Sequence, residues 1–365
     1  MGNAERNLET GNLETARLLE PYERPLIKNA WYCAAWADEV TDNLLARRIV
    51  NLPALLYRTQ AGKAVALLDI CPHKLAPLSQ GARVGDNVQC GYHGLEFDCS
   101  GKCVKNPQGD GKVPNAAVRT FPLVERHGVL WIWPGQPERA DESKIPDCSY
   151  LTDPKRRNVK GAHHVNANYM LLVENLLDLG HTLFLHRKTA GMPEKIELSE
   201  ARIEQEGNSI SDLRLFRDIQ PPGLFARSRL GKEKLVDLSN DIHWSAPSVL
   251  ITNNGISLPG GGGARAGERA VGTRGVHLLT PETQHTMHYF YGLARNYSLD
   301  DTEMDVLMYW WQRNALKAED SRVAEAIDAS LAHAMELGVR MVTLSTDVSA
   351  LRVNRILDRM AAAEA

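Results

Sequence analysis

Two short segments constrain this chain more than anything else in it: Cys71-Pro72-His73 and, after sixteen intervening residues, Cys90-Gly91-Tyr92-His93. Each offers one thiolate and one imidazole, on two loops joined by a hairpin-length stretch. Zinc ribbons pair Cys with Cys, and zinc fingers pair Cys with Cys and His with His. A mixed Cys/His pair used twice suits a [2Fe–2S] cluster in which one iron takes two thiolates and the other two imidazoles. Neutral imidazole in place of thiolate raises the potential, so such a centre can accept electrons from a ferredoxin-like donor. Gly81 and Gly94 are expected to supply tight turns beside the ligands. Cys99 and Cys103 lack matching histidines and are assigned to packing. The competing reading is a structural Cys₂His₂ zinc site. Alone, the motif describes an electron-transfer module, not an enzyme.

The rest of the chain has to house that module. At 365 residues it exceeds one ordinary core, so two folding units are expected. Six cysteines scattered through so long a chain do not make a disulfide framework. A net charge of -3 gives no reason to expect nucleic acid or an anionic membrane as partner. No apolar run approaches the ~18 residues of a membrane span, and the polar, acidic first 25 residues are no secretory signal. The chain therefore reads as cytoplasmic. Residues 1–27, with Asn7-Leu8-Glu9-Thr10 echoed by Asn12-Leu13-Glu14-Thr15, read as an extension. Residues 28–150 read as a small antiparallel β domain, from runs such as Ala54–Tyr57, Val65–Leu68 and Val129–Trp133 punctuated by Gly, Pro, Asn and Asp. Pro134–Lys155 resembles a linker. Residues 151–365 read as a larger domain, an antiparallel sheet covered by helices. Strand-like runs there are Ser248–Thr252, Gly275–Leu279 and Thr286–Tyr291, and long helical patterns cover Asn168–His186 and Thr302–Met335. The fold class is α+β. Gly260-Gly261-Gly262-Gly263 reads as a mobile loop.

A second constellation carries the catalytic argument. In Asn175-Leu176-Leu177-Asp178-Leu179-Gly180-His181-Thr182-Leu183-Phe184-Leu185-His186, Asn175, Asp178 and His181 recur at intervals of three, along one side of a helix. His181 and His186 lie about 140° apart around an ideal helix, so the helix must end or distort after Gly180 for both to meet one ion. Two histidines and a carboxylate on one face bind ferrous iron and leave positions open for oxygen and substrate. Spacing leaves two candidates for the carboxylate, Asp320 and its neighbour Glu319, with Asp320 preferred. The two constellations support each other, because an iron that activates oxygen needs a source of electrons.

Taken together, Leu68–His73, Tyr92–Asp98 and Asp178–His181 resemble the Rieske aromatic-ring oxygenases, in particular the monooxygenases that include dicamba monooxygenase and the vanillate O-demethylase oxygenase component. Leu279–Thr283 and Asp300–Asp305 share the likeness, which runs from about Asn29 to near the C-terminus. The resemblance implies that Cys71 and Cys90 hold one cluster iron and His73 and His93 the other. It implies His181, His186 and Asp320 as the iron-binding triad, with Asn175 beside the metal. Asp178 is implied as a bridge between His181 and His93 of a neighbouring subunit in a head-to-tail homotrimer. For substrate it implies His277 and Trp311, and less securely Asn253, with Asn254 as the alternative. Gly91 departs from the family pattern, which has Pro there, as do the N-terminal extension and the four-glycine run.

The expected activity is that of a terminal monooxygenase that O-demethylates a methoxylated aromatic acid. It would use O₂ and electrons from NAD(P)H through a separate ferredoxin, flavin reductase or both, since no dinucleotide fingerprint stands out here. Hydroxylation of an aromatic methyl group, or N-demethylation, is the alternative on the same scaffold. A pure electron-transfer iron–sulfur protein and a zinc-stabilised binding protein are the readings from other classes.

Overall fold

The computed structural model describes residues 22–187, 189, 199–334, 336–339 and 341–364. These form two compact units: Lys28–Ile145 with Thr280–Thr283, and the remainder. The division thus falls at 145/146, not at 150/151. The segment from Pro146 goes with the larger unit, where the Tyr150 hydroxyl donates to the Gly275 carbonyl at 3.2 Å. Residues 22–27 also belong to the larger unit: Tyr22 donates to Glu174 at 2.6 Å and Arg24 pairs with Asp358 at 2.7 Å. The Asn7–Thr15 duplication lies outside the described residues.

In the smaller unit, β1 (Tyr32–Trp36), β2 (Leu45–Ile49), β3 (Leu52–Arg58) and β4 (Ala64–Leu68) precede the first Cys/His loop. A hairpin of β5 (Ala82–Val84) and β6 (Asn87–Gln89) joins it to the second loop. β7 (Glu96–Phe97), β8 (Cys103–Lys105), β9 (Leu123–Arg126) and β10 (Val129–Ile132) complete three antiparallel sheets, β1-β10-β9, β2-β3-β4 and β5-β6-β7-β8. Leu55, Tyr57, Leu67, Val88 and Phe97 form a core that also encloses Cys71, Cys90 and Cys103. Cys99 packs on its edge within 3.4 Å of the Asp86 carbonyl oxygen, so the packing assignment of Cys99 and Cys103 holds.

The larger unit is built on a seven-stranded sheet. Its strands are β11 (Arg157–Val165), β12 (Glu200–Glu206), β13 (Ser209–Ile219), β14 (Val236–Ser245), β15 (Val249–Ser257), β16 (Val271–Pro281) and β17 (Met287–Arg295), in the order β11-β17-β16-β15-β14-β13-β12. Helices α1 (Tyr169–Leu177), α2 (Thr302–Gln312), α3 (Ser321–Ala334) and α4 (Val348–Ala362) accompany it, and α2 and α3 are joined by a wide π-helical segment, Arg313–Asp320. Asn168 caps α1 through the Met170 N–H at 2.9 Å, and Asp301 caps α2 through the Met304 N–H at 3.0 Å. The fully buried Arg295 fixes the start of α2 by pairing with Asp305 at 2.5 Å and bonding the Asp301 carbonyl at 3.0 Å.

The four-glycine run is strapped down, contrary to the expectation of a mobile loop. The Gly260 and Gly262 N–H groups donate to one Asp237 oxygen at 3.0 and 3.1 Å, Ala264 N–H to Ser239 at 2.9 Å, and Arg265 pairs with Asp241 at 2.6 Å. Strand alternation explains the arrangement: Asp237, Ser239 and Asp241 project from one face of β14, while Leu238, Asn240 and Ile242 project from the other. Gly263 has φ +68°, and a Cβ there would stand 2.2 Å from the Ser239 nitrogen. Gly263→Ala is therefore expected to cost about 2–3 kcal/mol, read as a lowered thermal melting point. An unchanged melt would show that the strap contributes little.

Candidate metal centres

The two Cys/His loops repeat one backbone pattern. Cys71 N–H donates to the Ala76 carbonyl at 2.8 Å and Leu75 N–H to the Cys71 carbonyl at 2.9 Å; Cys90 N–H donates to the Leu95 carbonyl at 2.8 Å and Gly94 N–H to the Cys90 carbonyl at 3.0 Å. The fifth residue of each turn takes positive φ, +61° at Leu75 and +79° at Gly94. Gly94 is thus the turn glycine expected. Gly81 has an ordinary negative φ and serves close approach instead, because a Cβ there would meet the Gln89 carbonyl oxygen at 1.9 Å. The loops bring like to like. The Cys71 and Cys90 thiols hydrogen-bond each other, and the His73 and His93 ring centroids lie 4.5 Å apart. Burial pushes the Cys71 thiol above its ordinary range, while the His73 and Lys74 N–H groups point at its sulfur and favour the thiolate. The cysteines are buried, whereas His73 is exposed beside the exposed Leu75 and Tyr92. Two inward thiols and two outward imidazoles match a cluster with one Cys₂ iron and one His₂ iron.

In the larger unit, helix α1 ends at Leu177. Asp178 adopts an extended conformation, φ −96° and ψ 99°, and a 3₁₀ turn runs from Leu179 to Leu183. The break thus precedes Gly180, and the single helix expected through His186 is replaced by two pieces. The Asp178 carboxylate caps the second piece, accepting the Gly180 N–H at 2.8 Å. This change of axis lets residues five apart converge: His181 Nε2 and His186 Nε2 are 3.2 Å apart, and both face Asp320 Oδ1, at 3.5 and 3.0 Å. Asp320 ends the π-helical segment; wide turns of this kind are frequent at functional sites.

The protonation logic shows what this cluster is for. His181 Nδ1 bonds the Asp178 carbonyl, which can only accept, so a neutral His181 ring presents a lone pair at Nε2. His186 Nδ1 bonds the Glu319 carboxylate at 2.7 Å and likewise presents its Nε2 lone pair. Glu319 is itself steadied by the Thr189 hydroxyl at 2.7 Å. Two lone pairs and a carboxylate oxygen, converging in a largely buried place, repel one another unless a cation sits among them. Burial resists charge on His186, but the hydrogen bonds and charges of Asp320 and Glu319 outweigh it and raise its pKa. The three side chains offer one ligand atom each within 4.8 Å, and two imidazoles plus one carboxylate on one face form the donor set of a non-haem ferrous site. Asn175 joins through its amide, Nδ2 donating to Asp320 Oδ1 at 3.3 Å. Glu319, the rival ligand from spacing alone, instead orients His186. Glu319→Ala should weaken divalent-metal affinity about 10–100-fold in chelator competition; an unchanged affinity would mean that the carboxylate does not hold the ring.

A cavity of about 420 Å³ opens onto this triad, with His181, His186 and Asp320 in its wall. Leu176, Leu179, Leu293 and Leu316 give it an apolar lining, and His277 and Trp311 also line it. The His277 Nδ1 lies 2.7 Å from the Tyr289 hydroxyl, a partner that periodicity gave no means of finding. Burial drives His277 down to about 4, so the ring is neutral at physiological pH. With Tyr289 donating, Nε2–H is left as a donor. Asn253 does not line the cavity. Its register partner is Asp241, on the strap face of the sheet, whereas Asn254 pairs with Asn240 and both line the cavity. Asp178 meets His181 through its main-chain carbonyl, not through the carboxylate the bridging role requires.

Comparison with known proteins agrees with both centres. Residues 30–122 match the Rieske [2Fe-2S] domain and residues 165–363 the vanillate O-demethylase oxygenase C-terminal domain. The dicamba O-demethylase oxygenase component of Stenotrophomonas maltophilia is 43% identical over 93% of this chain and 99% of its own length. The chloroacetanilide N-alkylformylase oxygenase component of Rhizorhabdus wittichii is 35% identical over 93% and 96%. A crystal structure of dicamba monooxygenase with non-heme iron and dicamba superposes with a TM-score of 0.82 at 41% identity, covering 93% of this chain and 98% of that one.

Proposed function

Because the chain belongs to the Rieske non-haem iron oxygenases of the vanillate O-demethylase type, we propose that it O-demethylates a methoxylated aromatic acid. It is the oxygenase component of a multicomponent system, with a Rieske [2Fe–2S] cluster and a mononuclear non-haem iron. In our reading Cys71 and Cys90 hold one cluster iron, His73 and His93 the other, and His181, His186 and Asp320 the mononuclear iron. When bound, the cluster supplies single electrons and the ferrous ion activates dioxygen. One oxygen atom enters a C–H bond of the methoxy group; the resulting hemiacetal breaks its C–O bond to give formaldehyde and the phenol. The other oxygen atom leaves as water, taking two electrons from NAD(P)H through a reductase, with or without a ferredoxin, and two protons, one from NAD(P)H and one from solvent.

The protein's share of the work is placement. Glu319 and the Asp178 carbonyl orient the two imidazoles, and Asn175 fixes the Asp320 carboxylate. The neutral His277 donates from Nε2 to the substrate carboxylate, and the Trp311 indole packs on the aromatic ring. The leucines of the cavity keep bulk water from the reacting carbon. In a homotrimer, the Asp178 carboxylate would receive His93 of the partner subunit, a reading supported by the exposed imidazole edge of the cluster loops.

The observation that carries this proposal is a largely apolar cavity walled by the triad itself. The test supplies reductase, NADH and a panel of methoxylated and methylated aromatic acids, then analyses products. Formaldehyde plus a product lighter by one CH₂ is the expected result. A product heavier by one oxygen, without formaldehyde, would move the assignment to methyl hydroxylation. N-demethylation is the reading favoured by the N-alkylformylase relative, and would show as formaldehyde from N-methyl compounds only.

A further inference from the structure

Behind His277, on β17, stands the fully buried Tyr289, its hydroxyl 2.7 Å from His277 Nδ1. Burial pushes the imidazole down to about 4 and the phenol well above its ordinary range, so both are neutral and the shared proton rests on the phenol. The Asp320 carboxylate acts on both groups, which sets the pair within reach of the metal site's charge.

Aromatic contacts continue outward from there. Strand alternation puts Tyr291 on the same face of β17 as Tyr289, and the two rings meet edge-on with centroids 5.6 Å apart. His163, the register partner of Tyr289 on β11, packs against both, at 5.2 and 5.6 Å. These are ordinary aromatic separations. Strand β11 is the edge of the sheet, and Gly161 opposite Tyr291 admits its phenol: a Cβ there would stand 2.6 Å from the Tyr291 oxygen. Beyond it, Tyr291 feels the exposed Tyr309 and Arg313 of the helical segments. A file of oxidisable rings thus runs from the cavity wall to the sheet edge. Orienting His277 accounts for the Tyr289 hydroxyl, but it calls for no second phenol in ring contact with the first.

We propose that Tyr289 and Tyr291 form an electron-supplying relay that protects the iron site when an oxidant is generated there with no substrate in place. An electron passes from Tyr289 to the oxidising centre while the phenolic proton crosses to His277 Nδ1, leaving a neutral tyrosyl radical and an imidazolium. Tyr291 then gives up an electron to Tyr289. The proton returns from His277 to the Tyr289 oxygen, and Tyr291 releases its own to solvent. A small reductant such as ascorbate restores Tyr291 by transfer of one hydrogen atom. The His277 lone pair enables the first step, because a buried phenol without a base would have to form a radical cation away from water. The relay depends on the iron centre and not on which C–H bond the enzyme attacks.

The test mixes the iron-loaded protein with hydrogen peroxide, without any aromatic acid, and freezes samples at successive times for electron paramagnetic resonance. The wild type should give a tyrosyl signal, narrowed in protein grown with ring-deuterated tyrosine. Asp320→Ala, which keeps only the cluster, should give none. Tyr289→Phe should lose most of the signal. Tyr291→Phe should retain it but slow its decay with added ascorbate severalfold, since the outward exit is gone. In both phenylalanine variants the fraction of His181 and His186 oxidised, read by peptide mass, should rise severalfold. No tyrosyl signal in the wild type, a signal undiminished in Tyr289→Phe, or unchanged decay in Tyr291→Phe would overturn the relay.

Discussion

Asp320→Ala is expected to abolish demethylation and lower the iron content from about three per chain to about two, with the cluster's colour unchanged. The reasoning is electrostatic. Asp320 supplies the only anion among the three converging ligand atoms and is 2% exposed. Without it, two neutral imidazoles remain, too weak a set to hold a ferrous ion. Glu319 cannot take its place without releasing His186 Nδ1 and the Thr189 hydroxyl, each bonded at 2.7 Å. Iron analysis and visible absorbance on the same sample read the two centres separately. Full iron occupancy in the variant would transfer the ligand role to Glu319.

Asp178→Asn should leave both centres loaded and still slow turnover about 10–100-fold. Asparagine caps as well as aspartate, so the bond from Gly180 N–H survives, and so does the main-chain carbonyl that holds His181. What disappears is the negative charge that our reading sets against His93 of the partner subunit, while the main-chain carbonyl keeps its bond to His181. Cluster reduction by dithionite, metal content and product formation are measured together. Wild-type turnover with both metals present would confine Asp178 to its cap and carbonyl roles and remove the bridge.

The sequence made the site legible where chemistry forces rare residues into short spacings. Cys71, His73, Cys90 and His93 need only two loops and a hairpin to meet, and the β5–β6 hairpin is that connection. His181 and His186 were readable as a pair, but not the break that lets them converge. It falls at Asp178, whose own side chain caps the next turn, and Gly180 drew attention away from it. The carboxylate 134 to 139 residues further on is fixed by tertiary structure and by a π-helical segment that no periodicity announces. Strands β15, β16 and β17 were visible as apolar or β-branched runs. Strands β12 to β14 were not, because β12 reads Glu-Ala-Arg-Ile-Glu-Gln-Glu and β14 carries Asp237, Ser239 and Asp241 inside. Those buried acids make sense only once the glycine strap is in place, and without them a run of four glycines reads as a mobile loop. The choice between Asn253 and Asn254 depends on strand register, where a slip of one residue exchanges the two faces.

The most direct test of the account uses this chain alone. The protein is reduced with dithionite, freed of reductant, mixed with a methoxylated aromatic acid that it binds, and exposed to O₂ in the absence of any reductase. The account predicts that the cluster reoxidises and that formaldehyde appears in proportion to the clusters oxidised, with Asp320→Ala yielding none. A cluster that reoxidises without any formaldehyde from the wild-type protein would contradict it, leaving an electron carrier in place of an oxygenase.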